Sequence, residues 1–283
     1  MNWKPPNMSG NASRSATDML TLYHSGSSVC SQKVRLALAE KGIPWTSRNL
    51  DMTKGEHQTP DYLKLNPNGV VPTLVTDTGD VIRESSVIIE YVDALAAPLL
   101  MPVRGSAVWQ TRLWLIRCIE IHAAINSLTF ATVIRKMVLG SMTAEQLEDW
   151  LARAPGPDIT EKRRDLMNRG AQSPHVDGAV ATLDGVFRDM DTALRNGPWL
   201  MGDDYSLADC ALLAYVDRVR RLGLGGLYEG RFGSIAYWLE RSRARPSYGS
   251  AIQAYYDDET ETKYLAAGSE AWPQIAARLL VRH

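Results

Sequence analysis

Hydrophobic and polar residues change their spacing along this 283-residue chain. From residue 19 to residue 96, short β-prone runs alternate with helical stretches. The predicted elements are a strand at 19–23, a helix at 29–40, a strand at 46–50, a helical segment at 57–65, strands at 73–76 and 81–82, and a helix at 85–96. This β-α-β-α-β-β-α order predicts a small sheet with helices packed against it.

From residue 104 onward the pattern is helical only. Predicted helices span 109–139, 176–195, 207–221 and 234–243, and the first of these is apolar around much of its circumference, which predicts a central place in a bundle. A polar insert at 140–175 holds two short helical stretches, and the part after residue 257 is expected to be irregular, with one candidate helix late in it.

Four units follow from this pattern. Residues 1–18 are rich in Asn, Ser and Pro and are predicted to be a disordered leader. Residues 19–97 form the sheet-containing domain, 104–260 form the helical domain, and 261–283 form a C-terminal tail.

Composition narrows the functional classes. The formal net charge of −1 argues against nucleic acid as the main partner, because phosphate binding needs a basic excess. No apolar run is long enough to cross a bilayer, and the first 19 residues lack the apolar block of a secretory signal. The widely separated Cys30, Cys118 and Cys210 are typical of a reducing cytoplasm, and the five scattered histidines with no C-x-x-C predict no metal site.

Three places in the first domain are candidates for ligand binding. At 27–31 a strand turns directly into a helix, where free N–H groups favour an anion, although a serine there is also an ordinary N-cap. Val71-Pro72 is either a plain strand start or a cis bond that frees the Val71 backbone for an extended peptide. Glu84-Ser85 opens the next helix, and its amides are suited to a carboxylate.

The order of these features resembles the thioredoxin-fold domain of the cytosolic glutathione S-transferases. The resemblance covers about residues 20–247 and implies a thioredoxin-like N-terminal domain with a mixed four-stranded sheet, an all-α C-terminal bundle, glutathione as co-substrate, and a homodimer. The matching segments are SVCSQKVRLAL at 28–38, KGEH at 54–57, LNPNGVVPTL at 65–74, ESSVIIEY at 84–91, WLMG at 199–202 and YSLAD at 205–209. In the last segment, Ser206 and Asp209 are predicted to cap a helix, which is a folding role and not a catalytic one.

The resemblance implies a role for each matching position. The backbone of Val71, before Pro72, would pair with the cysteinyl part of glutathione. Glu84 and Ser85 would receive the γ-glutamyl amine and carboxylate.

The glycyl end of glutathione is implied to lie near His57 and Lys54. One departure from the family pattern falls here. Many members carry a basic residue just before the Val-Pro pair, and this chain has Val70. One charged contact to the glycyl carboxylate is therefore in question.

Two residues compete to activate the thiol. Ser28 occupies the position where related classes place a catalytic serine or cysteine. Cys30 matches the reactive cysteine of glutathione-dependent reductive dehalogenases, whose local pattern is Ser-x-Cys-Ser. The spacing of Cys30 with Val34 and Leu38 is equally that of a small core residue on one helix face.

The second substrate would bind in the helical domain. Candidate pocket residues on the long helix, which are alternatively plain core, are Trp109, Arg112, Trp114 and Arg117. The insert at 140–175 resembles that of bacterial glutathione-dependent β-aryl etherases, and it is either a lid over the pocket or a solvated helical excursion.

The resulting expectation is a glutathione transferase whose thiolate attacks a small hydrophobic, aromatic electrophile, with β-aryl ether cleavage as one form of that reaction. The alternatives are a reductive dehalogenase that uses Cys30, or a non-catalytic carrier of glutathione or hydrophobic ligands on the same fold. No G-x-G-x-x-G follows the first strand and no G-x-S-x-G is present, which excludes the corresponding dinucleotide and hydrolase motifs.

Overall fold

The computed structural model describes residues 19–154 and 156–280. The predicted disordered leader at 1–18 and the last three residues of the predicted tail lie outside the described residues.

The N-terminal half is built around a mixed four-stranded sheet with strand order β2-β1-β3-β4. Strand β1 pairs in parallel with β2 and antiparallel with β3, which pairs antiparallel with β4. The elements in chain order are β1 (Leu20–His24), α1 (Val29–Glu40), β2 (Trp45–Asn49), a 3₁₀ turn (Glu56–Gln58), α2 (Pro60–Leu65), β3 (Thr73–Val75), β4 (Val81–Ile82) and α3 (Ser85–Ala94). The predicted thioredoxin-like order is confirmed.

The helical half begins with α4. Its elements are α4 (Ser106–Thr129), a π-helical segment (Phe130–Ile134), α5 (Arg135–Ser141), α6 (Ala144–Ala152), α7 (Pro157–Arg169), a 3₁₀ turn (Gly170–Gln172), α8 (Pro174–Leu194), α9 (Leu207–Arg221), a 3₁₀ turn (Gly225–Leu227), α10 (Gly233–Arg243), α11 (Pro246–Ala251), a 3₁₀ turn (Gln253–Tyr255) and α12 (Asp258–Leu280). None of the helices in this described part of the chain combines the length and apolarity that a bilayer crossing requires.

The most buried helix is α9, not the long helix that the apolar pattern favoured. Nearly every residue of α9 is buried. Helix α4 packs against α8 and α9 on one side only and leaves apolar side chains such as Ile116 exposed. The π-helical segment then separates α4 from α5.

A capping box holds the start of α9. Asp209 accepts hydrogen bonds from Ser206 N (2.9 Å), Ser206 Oγ (2.7 Å), Leu200 N (2.9 Å) and Trp238 Nε1 (2.8 Å). The buried carboxylate therefore joins the preceding loop, α9 and α10, and the predicted structural role of the Ser-Leu-Ala-Asp motif is confirmed.

The tail differs from the expectation of an irregular segment. Residues Asp258–Leu280 form one helix that includes Pro273 and packs on α8, α9 and the π-helical segment. At Gly268 a Cβ atom would lie 1.5 Å from Leu222 O, so only glycine permits this close approach of α12 to the end of α9.

The two halves are joined along α1, which packs on α3, α9 and α11. At its C-terminal end, Glu40 accepts two hydrogen bonds from Arg245, through Nε (2.7 Å) and Nη2 (2.6 Å). Such a bidentate pair fixes both direction and distance. The N-terminal end of α1 is thereby placed where both halves of the chain contribute side chains.

Candidate active site

The turn before α1 is held by two buried arginines. Arg35 donates to the carbonyls of Ser25 (3.2 Å) and Gly26 (2.8 Å), and Arg218 from α9 donates to the carbonyl of Ser27. Arg35 also donates to Ala251 O (2.8 Å) at the end of α11. Because three successive carbonyls are paired in this way, the shape of the turn depends on both halves of the chain.

Ser28 is the N-cap of α1. Its Oγ accepts a hydrogen bond from Ser31 N (3.3 Å), and the side chain is partly exposed. Among the described residues its hydroxyl proton has no acceptor. One oxygen can therefore cap the helix and still donate to an anion in front of the helix N-terminus.

Cys30, two residues further along α1, faces side chains of the helical half. Its Sγ lies 3.5 Å from His122 Nδ1 on α4 and 3.8 Å from Tyr215 Oη on α9. Burial alone would raise the pKa of this thiol, but the charge and hydrogen bond of His122, with Lys33 and a hydrogen bond from Ser85, lower the pKa to about 7. The structure thus places a thiolate-forming cysteine in the site.

The pKa of His122, the base beside this thiol, shifts in the opposite direction to that of Cys30. Burial opposes protonation of His122, yet the Cys30 thiolate raises the pKa of the imidazole overall. Lys33 is fully buried, donates to Ser86 Oγ (2.8 Å) and lies 5.9 Å from the Tyr215 ring centroid. Two cationic groups therefore favour the anionic form of Cys30.

The peptide bond between Val71 and Pro72 is cis. Val71 makes no main-chain hydrogen bond to any residue in 19–154 or 156–280, whereas the preceding carbonyl of Val70 accepts from Tyr62 Oη (2.6 Å) and Asn66 Nδ2 (2.8 Å). The loop is therefore fixed on one side and leaves the Val71 backbone available for an extended ligand.

Glu84 has a φ of 65°, which is unfavourable for any residue except glycine, and its side chain is exposed. Ser85 follows as the first residue of α3 and is buried, and α3 packs on α1. The N-termini of α1 and α3 therefore meet, which concentrates unpaired N–H groups and positive dipole ends in one place.

His57 and Lys54 lie on the loop and 3₁₀ turn that follow β2. The Nδ1 atom of His57 is buried with no hydrogen-bond partner among the described residues. The Lys54 side chain is 76% exposed and lies 3.3 Å from Asp51. The structure therefore does not bring Lys54 together with His57 through a direct contact.

The four candidate pocket residues on α4 have different surroundings. Trp114 is buried in the core, and Trp109 is 67% exposed. Arg112 lies 3.5 Å from Glu90, and Arg117 donates to Asp189 (2.7 Å). Only the core alternative fits Trp114.

His122 and Tyr215 were not among the site residues expected from the sequence. No motif spacing connects Cys30 with His122, which is 92 residues away. The available signal was the type of residue: Lys33 and His122 are ionisable groups on helices predicted to pack in the interior, where burial without a partner is costly.

No metal is implied by the geometry: in the described ranges, no three His, Cys, Asp or Glu side chains are grouped closely enough to hold an ion. A cavity of about 620 Å³ lies away from Cys30, between the π-helical segment, the 3₁₀ turn Gly170–Gln172 and α12. Because it contains none of the expected site residues, we do not assign the reaction to it.

The sheet, the bundle and the paired helix N-termini together define a glutathione transferase-type enzyme. The family profile "Glutathione S-transferase, N-terminal domain" matches residues 27–95, and "Glutathione S-transferase, C-terminal domain" matches residues 162–246. The chain belongs to the glutathione S-transferase family, whose co-substrate is glutathione.

Individual relatives are similar to this chain over most of its length. The chain is 27% identical to glutathione S-transferase TCHQD of Arabidopsis thaliana over 93% of its length and 99% of that protein. It is 25% identical to the tetrachloro-p-hydroquinone reductive dehalogenase of Sphingobium chlorophenolicum, over 82% and 95% of the two chains. The crystal structure of beta-etherase LigF from Sphingobium sp. strain SYK-6 matches with a TM-score of 0.74 and 26% identity, covering 83% of this chain and 99% of that one.

Proposed function

We propose that this protein binds glutathione at the N-termini of α1 and α3 and directs its thiolate at a small hydrophobic, aromatic electrophile, with β-aryl ethers among the substrates. The observation that carries the proposal is the packing of α1 on α3, with the N-cap Ser28 at the start of α1 and the buried Ser85 at the start of α3. Two helix N-termini with unpaired N–H groups are suited to an anionic peptide.

The proposed role of each residue in binding glutathione follows from its unpaired hydrogen-bonding groups and its charge. Val71 has an unpaired backbone N–H and C=O for the cysteinyl unit, next to Pro72. Ser85 and the α3 N-terminus suit the γ-glutamyl carboxylate, and the exposed Glu84 carboxylate suits the γ-glutamyl amine. In this arrangement His57 and Lys54 lie toward the glycyl end.

Ser28 is suited to stabilise the glutathione thiolate. Lowering a thiol pKa by about two units requires roughly 2.7 kcal/mol of selective stabilisation of the anion. A hydrogen bond to a charged group contributes about 1.5–3 kcal/mol, and a helix N-terminus adds about 0.3–1 kcal/mol. The unpaired hydroxyl proton of Ser28 and the α1 N-terminus are together sufficient.

The test combines calorimetry with ultraviolet difference absorbance of the bound thiolate in the wild-type protein, Ser28→Ala and Cys30→Ala. The proposal expects glutathione binding in all three and loss of the thiolate signal in Ser28→Ala. Loss only in Cys30→Ala would transfer the activation to Cys30. A screen of aryl halides and aryl ethers then identifies the leaving group.

A second candidate function is favoured by the Cys30–His122 contact. A glutathione thiolate first displaces halide from an aryl halide and forms an aryl thioether. The Cys30 thiolate then attacks the thioether sulfur, the aryl carbon takes up a proton, and a mixed disulfide between Cys30 and glutathione forms. A second glutathione reduces this disulfide, releasing oxidised glutathione and restoring the thiol. The dehalogenase of Sphingobium chlorophenolicum is similar over 82% of this chain.

Mass spectrometry separates the candidates. Incubation with an aryl–glutathione conjugate yields one glutathione disulfide-linked to Cys30 if the reductive route operates, and none if the enzyme is a simple transferase. Binding of glutathione without turnover of any electrophile would instead favour the non-catalytic carrier.

The exposed face of α4 supports the expected homodimer. Four large apolar residues at helical spacing are 59–75% exposed there: Trp109, Leu113, Ile116 and Ile119. Exposed apolar patches of this kind mark association surfaces in proteins. We propose that a second copy of the chain covers this face, and that the protein works in the cytoplasm.

A further inference from the structure

The glutathione site of the N-terminal half has a gap in its charges at the glycyl end. Val70 stands where a basic residue is expected, and its side chain is 43% exposed. Lys54 already neighbours the Asp51 carboxylate. Neither of these two positions therefore offers a free cation for the glycyl carboxylate.

The helical insert at 140–175 contacts the 3₁₀ turn Glu56–Gln58, which carries His57. Gln58 Nε2, next to His57, donates to Arg153 O (3.0 Å) at the end of α6. On the other side of the 3₁₀ turn, His57 O would lie 3.3 Å from a Cβ at Gly69, one residue before Val70. The 3₁₀ turn thus contacts both the loop that leads to Val71 and the insert.

Arg163 on α7 is a cation without a carboxylate partner. Its guanidinium lies 5.0 Å from the Phe130 ring centroid and 5.8 Å from that of Trp150, and the two rings are stacked at 6.0 Å. In the part of the chain that the structure describes, no carboxylate lies within ion-pair distance of Arg163. Its neighbour Arg164 instead donates to Glu148 (2.6 Å).

The positive charge of Arg163 acts on His57. Burial and then the charge of Arg163 lower the pKa of the imidazole. The buried Nδ1 atom has no partner among the described residues. An unpaired buried polar atom beside an unpaired cation is typical of a site for a polar or anionic ligand group.

We infer that Arg163 binds the glycyl carboxylate of glutathione, so that the insert completes the glutathione site from the helical half of the chain. The aromatic rings of Phe130 and Trp150 hold the guanidinium in place while its N–H groups remain available. The inference rests on the proposed function. It makes helices α6 and α7 part of the co-substrate site, in place of a solvated excursion.

Calorimetric titration with two ligands tests this assignment. The ligands are glutathione and its glycyl monoethyl ester, in which an ethyl ester replaces the carboxylate and removes the negative charge at that end. The variants are Arg163→Gln, Arg163→Lys and, as the matched control on the same helix, Arg164→Gln. Circular dichroism and thermal unfolding confirm that each variant is folded.

The expected result is a 10- to 100-fold weaker Kd for glutathione in Arg163→Gln, about the strength of one charge-assisted contact. The ester should bind the wild-type protein weakly and bind Arg163→Gln no worse. Arg163→Lys should recover part of the affinity, and Arg164→Gln should match the wild-type protein.

Equal weakening of both ligands in Arg163→Gln would assign Arg163 a structural role and overturn the inference. An unchanged Kd for glutathione would also overturn it while leaving the proposed function intact. Failure of the wild-type protein to bind glutathione would overturn both.

Discussion

The Sγ atom of Cys30 lies 3.5 Å from Nδ1 of His122, although the two residues belong to different halves of the chain. His122 lowers the pKa of Cys30, and Cys30 in turn raises the pKa of His122, whereas the buried Lys33 favours the thiolate and opposes protonation of the imidazole. The contact therefore lowers the pKa of a cysteine that is also compatible with a core position, as the proposed reductive route through Cys30 requires.

The pH dependence of Cys30 alkylation should test the contact between Cys30 and His122. Because the pKa of Cys30 is lowered to about 7, the iodoacetamide rate should rise with a midpoint near pH 7. In His122→Ala the midpoint should move upward, toward roughly 8.5. Peptide mass spectrometry follows Cys30, with the buried Cys118 and Cys210 as slow internal references. An unchanged midpoint in His122→Ala, or the same shift in the exposed-site control His175→Ala, would contradict the pairing.

His24 should make the protein acid-sensitive. Burial and then Arg35 lower the pKa of this imidazole to about 4. The unfolded state therefore binds a proton between about pH 6.5 and 4 that the folded state does not, so stability is lost as pH falls through this window, by about 3 kcal/mol. Urea unfolding at several pH values should show a smaller loss in His24→Gln than in wild-type protein or in His175→Gln. Parallel curves for all three proteins would refute this linkage.

Asp209 should be among the most sensitive positions for stability. Asp209→Ala leaves the donors of Leu200, Ser206 and Trp238 unpaired in the interior, and we expect a loss of about 3–5 kcal/mol. Urea unfolding measures the loss, and the exposed Asp204→Ala serves as the control. A change below about 1 kcal/mol in Asp209→Ala would contradict the capping role.

Glu84 combines backbone strain with a predicted ligand contact. At a φ of 65°, glycine is favoured over alanine by about 1–2 kcal/mol. Glu84→Gly should therefore be more stable than Glu84→Ala by about 1 kcal/mol, whereas both variants should bind glutathione more weakly than the wild-type protein. Thermal unfolding and calorimetry separate the two effects. Equal stability of the two variants would argue against strain at this position.

The α4 face should control the oligomeric state. A charge in the middle of an apolar interface is strongly unfavourable, so Ile116→Asp should convert a dimer to a monomer. Size-exclusion chromatography with light scattering measures the mass. Tyr237→Asp, at a residue on α10 that is 71% exposed, is the matched control and should leave the mass unchanged. A monomeric wild-type protein would refute the proposed dimer.

Features that depend on neighbouring residues in the chain could be predicted from the sequence. Helix α1 occupies Val29–Glu40 and α9 occupies Leu207–Arg221, as the apolar spacing, the capping residues and the glycine stop indicate. The order of elements along the first half and the capping role of Asp209 belong to the same category. At Val71-Pro72 the sequence left a plain strand start and a cis bond open, and the structure has the cis bond. These features are governed by local dihedral preferences and short-range hydrogen bonds, which a sequence pattern contains.

The tertiary structure decided the rest. The course of α12, the π-helical segment, and the contacts of Cys30 with His122 and of the 3₁₀ turn with the insert all depend on residues far apart in sequence. The charge on Cys30 depends on the few ångströms between side chains brought together by packing, and no spacing along the chain contains that distance. The secondary structure and its caps could therefore be predicted from the sequence, whereas the pKa of Cys30 depends on side chains that only the tertiary structure brings together.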